Sequence, residues 1–74
     1  MALSNTALAV EARALAAAAP LGSLDRRAYG CAAVALSTTG TPATARKALA
    51  FVTLADVRTA ALLALDGLTG ERAA

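Results

Sequence analysis

The side chains that perform most catalytic chemistry are scarce in this sequence. Histidine is absent. That removes Ser–His and Cys–His nucleophile pairs and the usual His-containing zinc sites. There is no CxxC pair, no glycine-rich phosphate loop and no glycine fingerprint of a dinucleotide site. The carboxylates are Glu11, Asp25, Asp56, Asp66 and Glu71. Asp25 and Asp56 fall where helices start, and capping accounts for them better than acid–base work. Asp66 and Glu71 read as solvated. Cys31 lies on an apolar helical stripe and reads as a buried, inert thiol. Ser37 and Lys47 are the residue types of a Ser–Lys pair, but their spacing does not support one. The sequence therefore predicts no catalytic, cofactor-binding or metal-ligating residue, and a non-enzymatic protein.

The remaining pointed chemistry is at Thr41, Thr44, Arg46 and Lys47. Two helices joined by the short Thr38–Pro42 turn have helix-turn-helix proportions. On the second of them, Arg46 could reach a guanine edge, with Thr44 and Lys47 on phosphates. This is a DNA-binding alternative. Few other cations support it, and Asp25 and Asp56 flank the region. Phosphate contacts would weaken steeply between about 50 and 200 mM salt, which makes the alternative easy to test. A second alternative is a membrane-surface-active helical peptide, for which the charge is low and scattered.

The elements that would position these residues are helices. Thr41-Pro42 is an N-cap followed by a first helical position, where proline lacks only an amide that would go unpaired. From Ala43 to Asp66 there is no Gly or Pro. At about 100° per residue, Ala45, Ala48, Leu49 and Val52 share one side. The next stripe, Leu54, Val57, Ala61, Leu65 and Leu68, lies nearly half a turn away. This predicts a break near Leu54–Asp56 with Asp56 as a new N-cap, or else one continuous helix whose halves meet different partners. Gly67 is the expected left-handed stop. Upstream, Ser4 is a predicted N-cap, with Leu3 and Leu8 stapled across it. The first helix should run from Asn5 to Ala19, its stripe Leu8, Ala12, Leu15 and Ala19, ended by Pro20 and Gly22. Ser23 caps a second helix over Leu24–Thr38, with stripe Leu24, Ala28, Cys31 and Ala35. Gly30, amid small residues, suggests a close helix crossing. Residues 69–74 read as a frayed tail.

Length and composition set the energetics. Seventy-four residues allow one domain spanning 1–74. There are 23 Ala, 12 Leu and 4 Val, with one Phe, one Tyr and no Trp. Alanine favours helix but brings a single methyl to the core, about 0.8 kcal/mol per buried carbon. A thin core without disulfide or metal calls for a partner, which predicts a homo-oligomer. The net charge of +2 is ordinary solubility chemistry. Abundant Ala, with six Arg to one Lys, suggests a GC-rich bacterial coding bias. The single cysteine excludes an internal disulfide and fits a reducing compartment. No apolar run reaches the roughly 20 residues of a membrane span, and the N-terminus lacks a secretory pattern, so a cytoplasmic protein is expected.

Leu24–Thr39 can be laid on Ala55–Gly70 at an offset of 31, matching Asp25 with Asp56, Arg27 with Arg58, Ala33 with Ala64 and Thr38 with Thr69. Asp56-Val57-Arg58 followed by Ala60-Ala61, Ala64-Leu65 and Leu68 resembles the second helix of a HEAT-type repeat. The first copy departs from it, with Arg26 where Val57 stands and Tyr29-Gly30 in place of Ala60-Ala61. The resemblance implies a protein-binding scaffold.

The reading is an all-α fold: a small bundle of about four short helices in two αα-hairpins, the third and fourth either separate or continuous. The expected function is protein–protein interaction or oligomerisation through Leu8, Leu15, Leu49, Phe51, Val52, Leu62 and Leu65. Leu62 and Phe51, lying off the main stripes, are the expected contacts between chains. Leu62→Glu is expected to leave the helices intact and shift the protein toward monomer.

Overall fold

A computed structural model describes residues 4–70. Its four helices are each traceable to local chemistry. Ser4 Oγ accepts the Ala7 N–H at 3.2 Å and opens α1, Asn5–Ala18. The proposed staple through Leu3 lies outside the described residues. After Pro20 the chain turns through Gly22 at φ 76°, a left-handed conformation that favours glycine. Ser23 then caps α2, Leu24–Thr38, accepting the Arg26 N–H at 3.2 Å, with Asp25 in the first turn. Thr41 opens α3, Pro42–Leu49, through a reciprocal capping box with Thr44.

The break between the two halves of the organising stretch is present, but it falls earlier than the sequence suggests. α3 ends at Leu49. It unwinds through i→i+3 bonds from Phe51 N–H to Ala48 O and from Val52 N–H to Leu49 O. α4 spans Ala55–Thr69, and its N-cap is Leu54, which makes no side-chain capping bond. Asp56 is therefore not the cap. It sits in the first turn of α4, where its charge complements the helix dipole, and its Oδ1 accepts the Val57 N–H at 2.8 Å. Gly67 is not the stop either. The helix runs through it to Thr69, and Gly70, at φ 80°, takes the left-handed position.

α2 lies at the centre, packed on α1, α3 and α4. Its buried residues are Ala28, Ala32, Ala33, Ala35 and Leu36, a broad strip of methyl groups that lets neighbours approach closely. The core combines alanines from all four helices with Leu8, Leu36, Leu49 and Leu65, the largest fully buried side chains. The radius of gyration is 11.0 Å, matching the roughly 11 Å expected of a self-contained fold of this length.

Polar contacts pin the ends. Asn5, only 6% exposed, donates from Nδ2 to Thr39 O at 3.0 Å and to Thr39 Oγ1 at 3.1 Å, tying the start of α1 to the end of α2. The Thr39 hydroxyl donates in turn to Ala35 O, so its lone pair is free to accept from Asn5. Arg13 donates to Ser37 Oγ further along the same pair of helices. Arg26 covers Ala19 O at the end of α1, and Arg58 covers Val52 O in the α3–α4 turn.

The offset of 31 lays α2 on α4 end to end, since both are 15-residue helices. Their buried positions differ. α4 buries Val57, Ala61 and Leu65, whose counterparts in α2 are Arg26, Gly30 and the exposed Val34. The internal match is thus one of helix bounds, while the caps and the buried faces of the two helices differ.

Candidate interaction surface

An open groove of about 890 Å³ runs between α2 and the α3–α4 turn. One wall is a stripe of α2 at three- and four-residue spacing, Arg27, Gly30, Cys31, Val34 and Thr38. The opposite wall comes from the end of α3, from Val52, Thr53 and Leu54 in the turn, and from Val57 in the first turn of α4. The early break puts Val52 and Leu54 of the turn along the groove instead of into a straight helix. Val34 is 64% exposed and Leu54 is 58% exposed. Phe51, in the same turn, is 84% exposed. Val34 and Leu54 thus add exposed apolar surface along the groove.

Gly30 has a different role from the one its neighbours suggest. A Cβ built there would meet nothing within 4 Å. No helix crosses close to it. Its missing side chain instead leaves the groove open beside Cys31. Cys31 is half-buried on the groove wall rather than sealed in the core.

A second cavity, about 410 Å³, lies among α1, α2 and α4. Leu15 and Leu63 form part of its apolar lining, and Glu11, Asp25 and Tyr29 supply its polar groups.

The structure divides the sequence-predicted interaction residues into three groups. Leu8, Leu49 and Leu65 are at most 2% exposed and serve the chain's own core. Val52 and Leu62 are half-buried and pack against that core, so Leu62 does not stand free for another chain. Leu15 is exposed at the second cavity, and Phe51 is exposed in the α3–α4 turn. Sequence reasoning missed Val34. On a helical wheel it follows Arg27 and Cys31 at three- and four-residue steps, a mixed stripe that the all-apolar plot passes over.

Three of the four residues of the DNA-binding alternative, Thr41, Thr44 and Arg46, have internal tasks. Thr41 and Thr44 are spent on each other in the capping box, their hydroxyls 3.0 Å apart. Arg46 pairs with Asp66, joining α3 to α4, and this pair accounts for the Asp66 Oδ1 atom that is otherwise shut off from water. Asp66 is thus half-buried and paired rather than solvated. Lys47 is exposed. With Arg13, Arg26 and Arg58 also holding internal acceptors, most of the basic side chains of the described residues work within the fold.

Among the described residues, no helix is long and apolar enough to cross a membrane, and no group of three His, Cys, Asp or Glu is placed to hold a metal ion. No family model matches the sequence, and neither a curated protein nor a solved structure matches it.

Proposed function

We propose that this chain is a non-enzymatic helical interaction module that associates with a second copy of itself through the face between α2 and the α3–α4 turn. One observation carries the reading: the sequence's single Phe, Phe51, is 84% exposed in the α3–α4 turn, next in the chain to Val52 of the groove wall. Fully burying a Phe contributes roughly 1.5–3 kcal/mol, and in the isolated chain most of that is unrealised. The thin core points the same way. Small domains without disulfide or metal gain stability by association, and a second copy is available wherever the chain is made.

The test is absolute mass by size-exclusion chromatography with light scattering, over about a hundredfold range of concentration. A dimer or larger assembly of the 7.3 kDa chain supports the proposal. A monomer at every concentration refutes it. Phe51→Glu is the discriminating variant. Leu62→Glu does not discriminate, because a carboxylate placed against the core would unfold the chain and leave the contact untested.

A further inference from the structure

We propose that the cavity among α1, α2 and α4 is a binding site for a small organic ammonium with an aliphatic tail. This goes beyond the self-association reading and does not depend on it, because the cavity shares no lining residue with the groove.

The cavity volume of about 410 Å³ falls in the roughly 300–1,000 Å³ range of small-molecule sites, which combine apolar walls with a few polar groups converging from separate elements. Here the polar groups are Glu11 from α1 and Asp25 and Tyr29 from α2. No Lys or Arg lines the cavity. Two negative charges therefore line one hollow in a chain whose net charge is +2. Their freedom sets them apart from the other described carboxylates. Asp66 is paired with Arg46, and Asp56 accepts the Val57 N–H. Among the described residues, neither Glu11 nor Asp25 has a hydrogen-bond or ion-pair partner. Asp25 gains from the α2 dipole. Glu11, in the middle of α1, has no such support.

Two carboxylates beside one hollow attract a cation, and the rest of the lining narrows its class. Leu15 and Leu63, 37% and 47% exposed, give the cavity apolar wall that a bare metal ion would leave wet. A tyrosine ring attracts an ammonium through its π face, and its hydroxyl accepts a hydrogen bond. Gly67 leaves the α4 side of the cavity without a side chain, and a Cβ there would meet nothing within 4 Å. An ammonium head followed by several methylene groups satisfies both parts of this lining, its charge on the carboxylates and its hydrocarbon on the leucines.

The experiment uses a built-in reporter. Tyr29 is the single Tyr and there is no Trp, so tyrosine fluorescence reads the cavity wall. Hexylammonium, titrated at low salt and fixed protein concentration, should change this fluorescence saturably, with a dissociation constant on the order of 1 mM for a ligand of about seven non-hydrogen atoms. 1-Hexanol should bind more weakly and hexanoate not at all. Glu11→Gln combined with Asp25→Asn should weaken hexylammonium about fivefold, as expected of exposed ion pairs. It should leave 1-hexanol binding unchanged and retain helical circular dichroism. Gly67→Leu fills the hollow from a position with room for a side chain and should weaken both ligands. Nα-acetyl-lysine amide carries the same head behind a peptide group. If it binds more tightly than hexylammonium, the small-molecule reading is overturned in favour of a lysine of another protein. No saturable response, an equal response to hexylammonium and hexanoate, or a hexylammonium constant that neither variant alters overturns the site. None of these outcomes turns on the oligomeric state.

Discussion

Replacing the two mid-helix glycines should make this protein more stable. Gly30 lies in the interior of α2 and Gly67 in the last turns of α4. Neither has a positive φ, and a Cβ at either would meet nothing within 4 Å. An added methyl therefore brings no clash, and the helix keeps the full propensity difference between Gly and Ala, about 0.8–1.0 kcal/mol at each site. For a domain of this size, about 1 kcal/mol shifts the melting midpoint by roughly 4–8 °C. Gly30→Ala and Gly67→Ala are far apart in sequence and line different cavities, so their effects should add. Gly22→Ala is the control. Its φ of 76° strains any residue with a Cβ, and it should lose about 1 kcal/mol. The assay is thermal unfolding followed by far-ultraviolet circular dichroism, at a concentration low enough to keep the chain monomeric. A loss of stability in Gly30→Ala under those conditions would refute the reasoning, because it would mean that another helix does pack against Gly30.

Two further outcomes follow from the core and the α1–α2 tie. Leu36→Ala removes one of the four largest fully buried side chains and should cost about 2–5 kcal/mol. That is a large part of the roughly 4–11 kcal/mol expected of a domain this long, and urea unfolding should show a correspondingly lower midpoint. Asn5→Asp should also destabilise, by about 2 kcal/mol in the same assay. A charge at the start of α1 gains some dipole energy, but it loses both hydrogen bonds to Thr39 and buries a carboxylate against two acceptors. The deficit should shrink in acid, where the carboxyl regains a proton to donate. A midpoint unchanged from wild type would show that the Asn5–Thr39 tie contributes nothing.

Much of the fold was legible because its signals are local. Ser4, Ser23 and Thr41 cap the helices predicted for them, and the bounds of α2 agree to the residue. The half-turn jump between the Ala45–Leu49 and Val57–Leu65 stripes favoured a break over one continuous helix, and there is one. Its position was not legible. Asp56 is a better cap than Leu54 on local chemistry alone. The α3 chain nevertheless leaves the helix by i→i+3 bonds at Phe51 and Val52, and the packing of Val57 and Leu65 then fixes where α4 begins. Gly67 reads as the stop in sequence, yet Gly70 takes that place. Leu68, half-buried and packed against the core, continues the helix past the first of them. The groove was the least legible feature, because its walls come from two segments of different helices and neither wall is a purely apolar stripe.

The distribution of side-chain size bears most directly on function. Seven of the eleven residues in the core cluster are alanine, whereas Phe51, Val34, Leu54 and several other large apolar residues are exposed. A buried Leu contributes roughly 1.5–3 kcal/mol, against about 0.8 for a methyl. A monomer selected for its own stability would place the larger groups inside. Small residues inside instead permit close helix packing, with α2 at the centre of the bundle. Part of the large apolar surface is left at the α3–α4 turn, where the chain changes direction and its side chains cannot all face inward. Burial of that surface requires another molecule. The proposed self-association would bury such surface and recover stabilisation that an alanine-rich core leaves out.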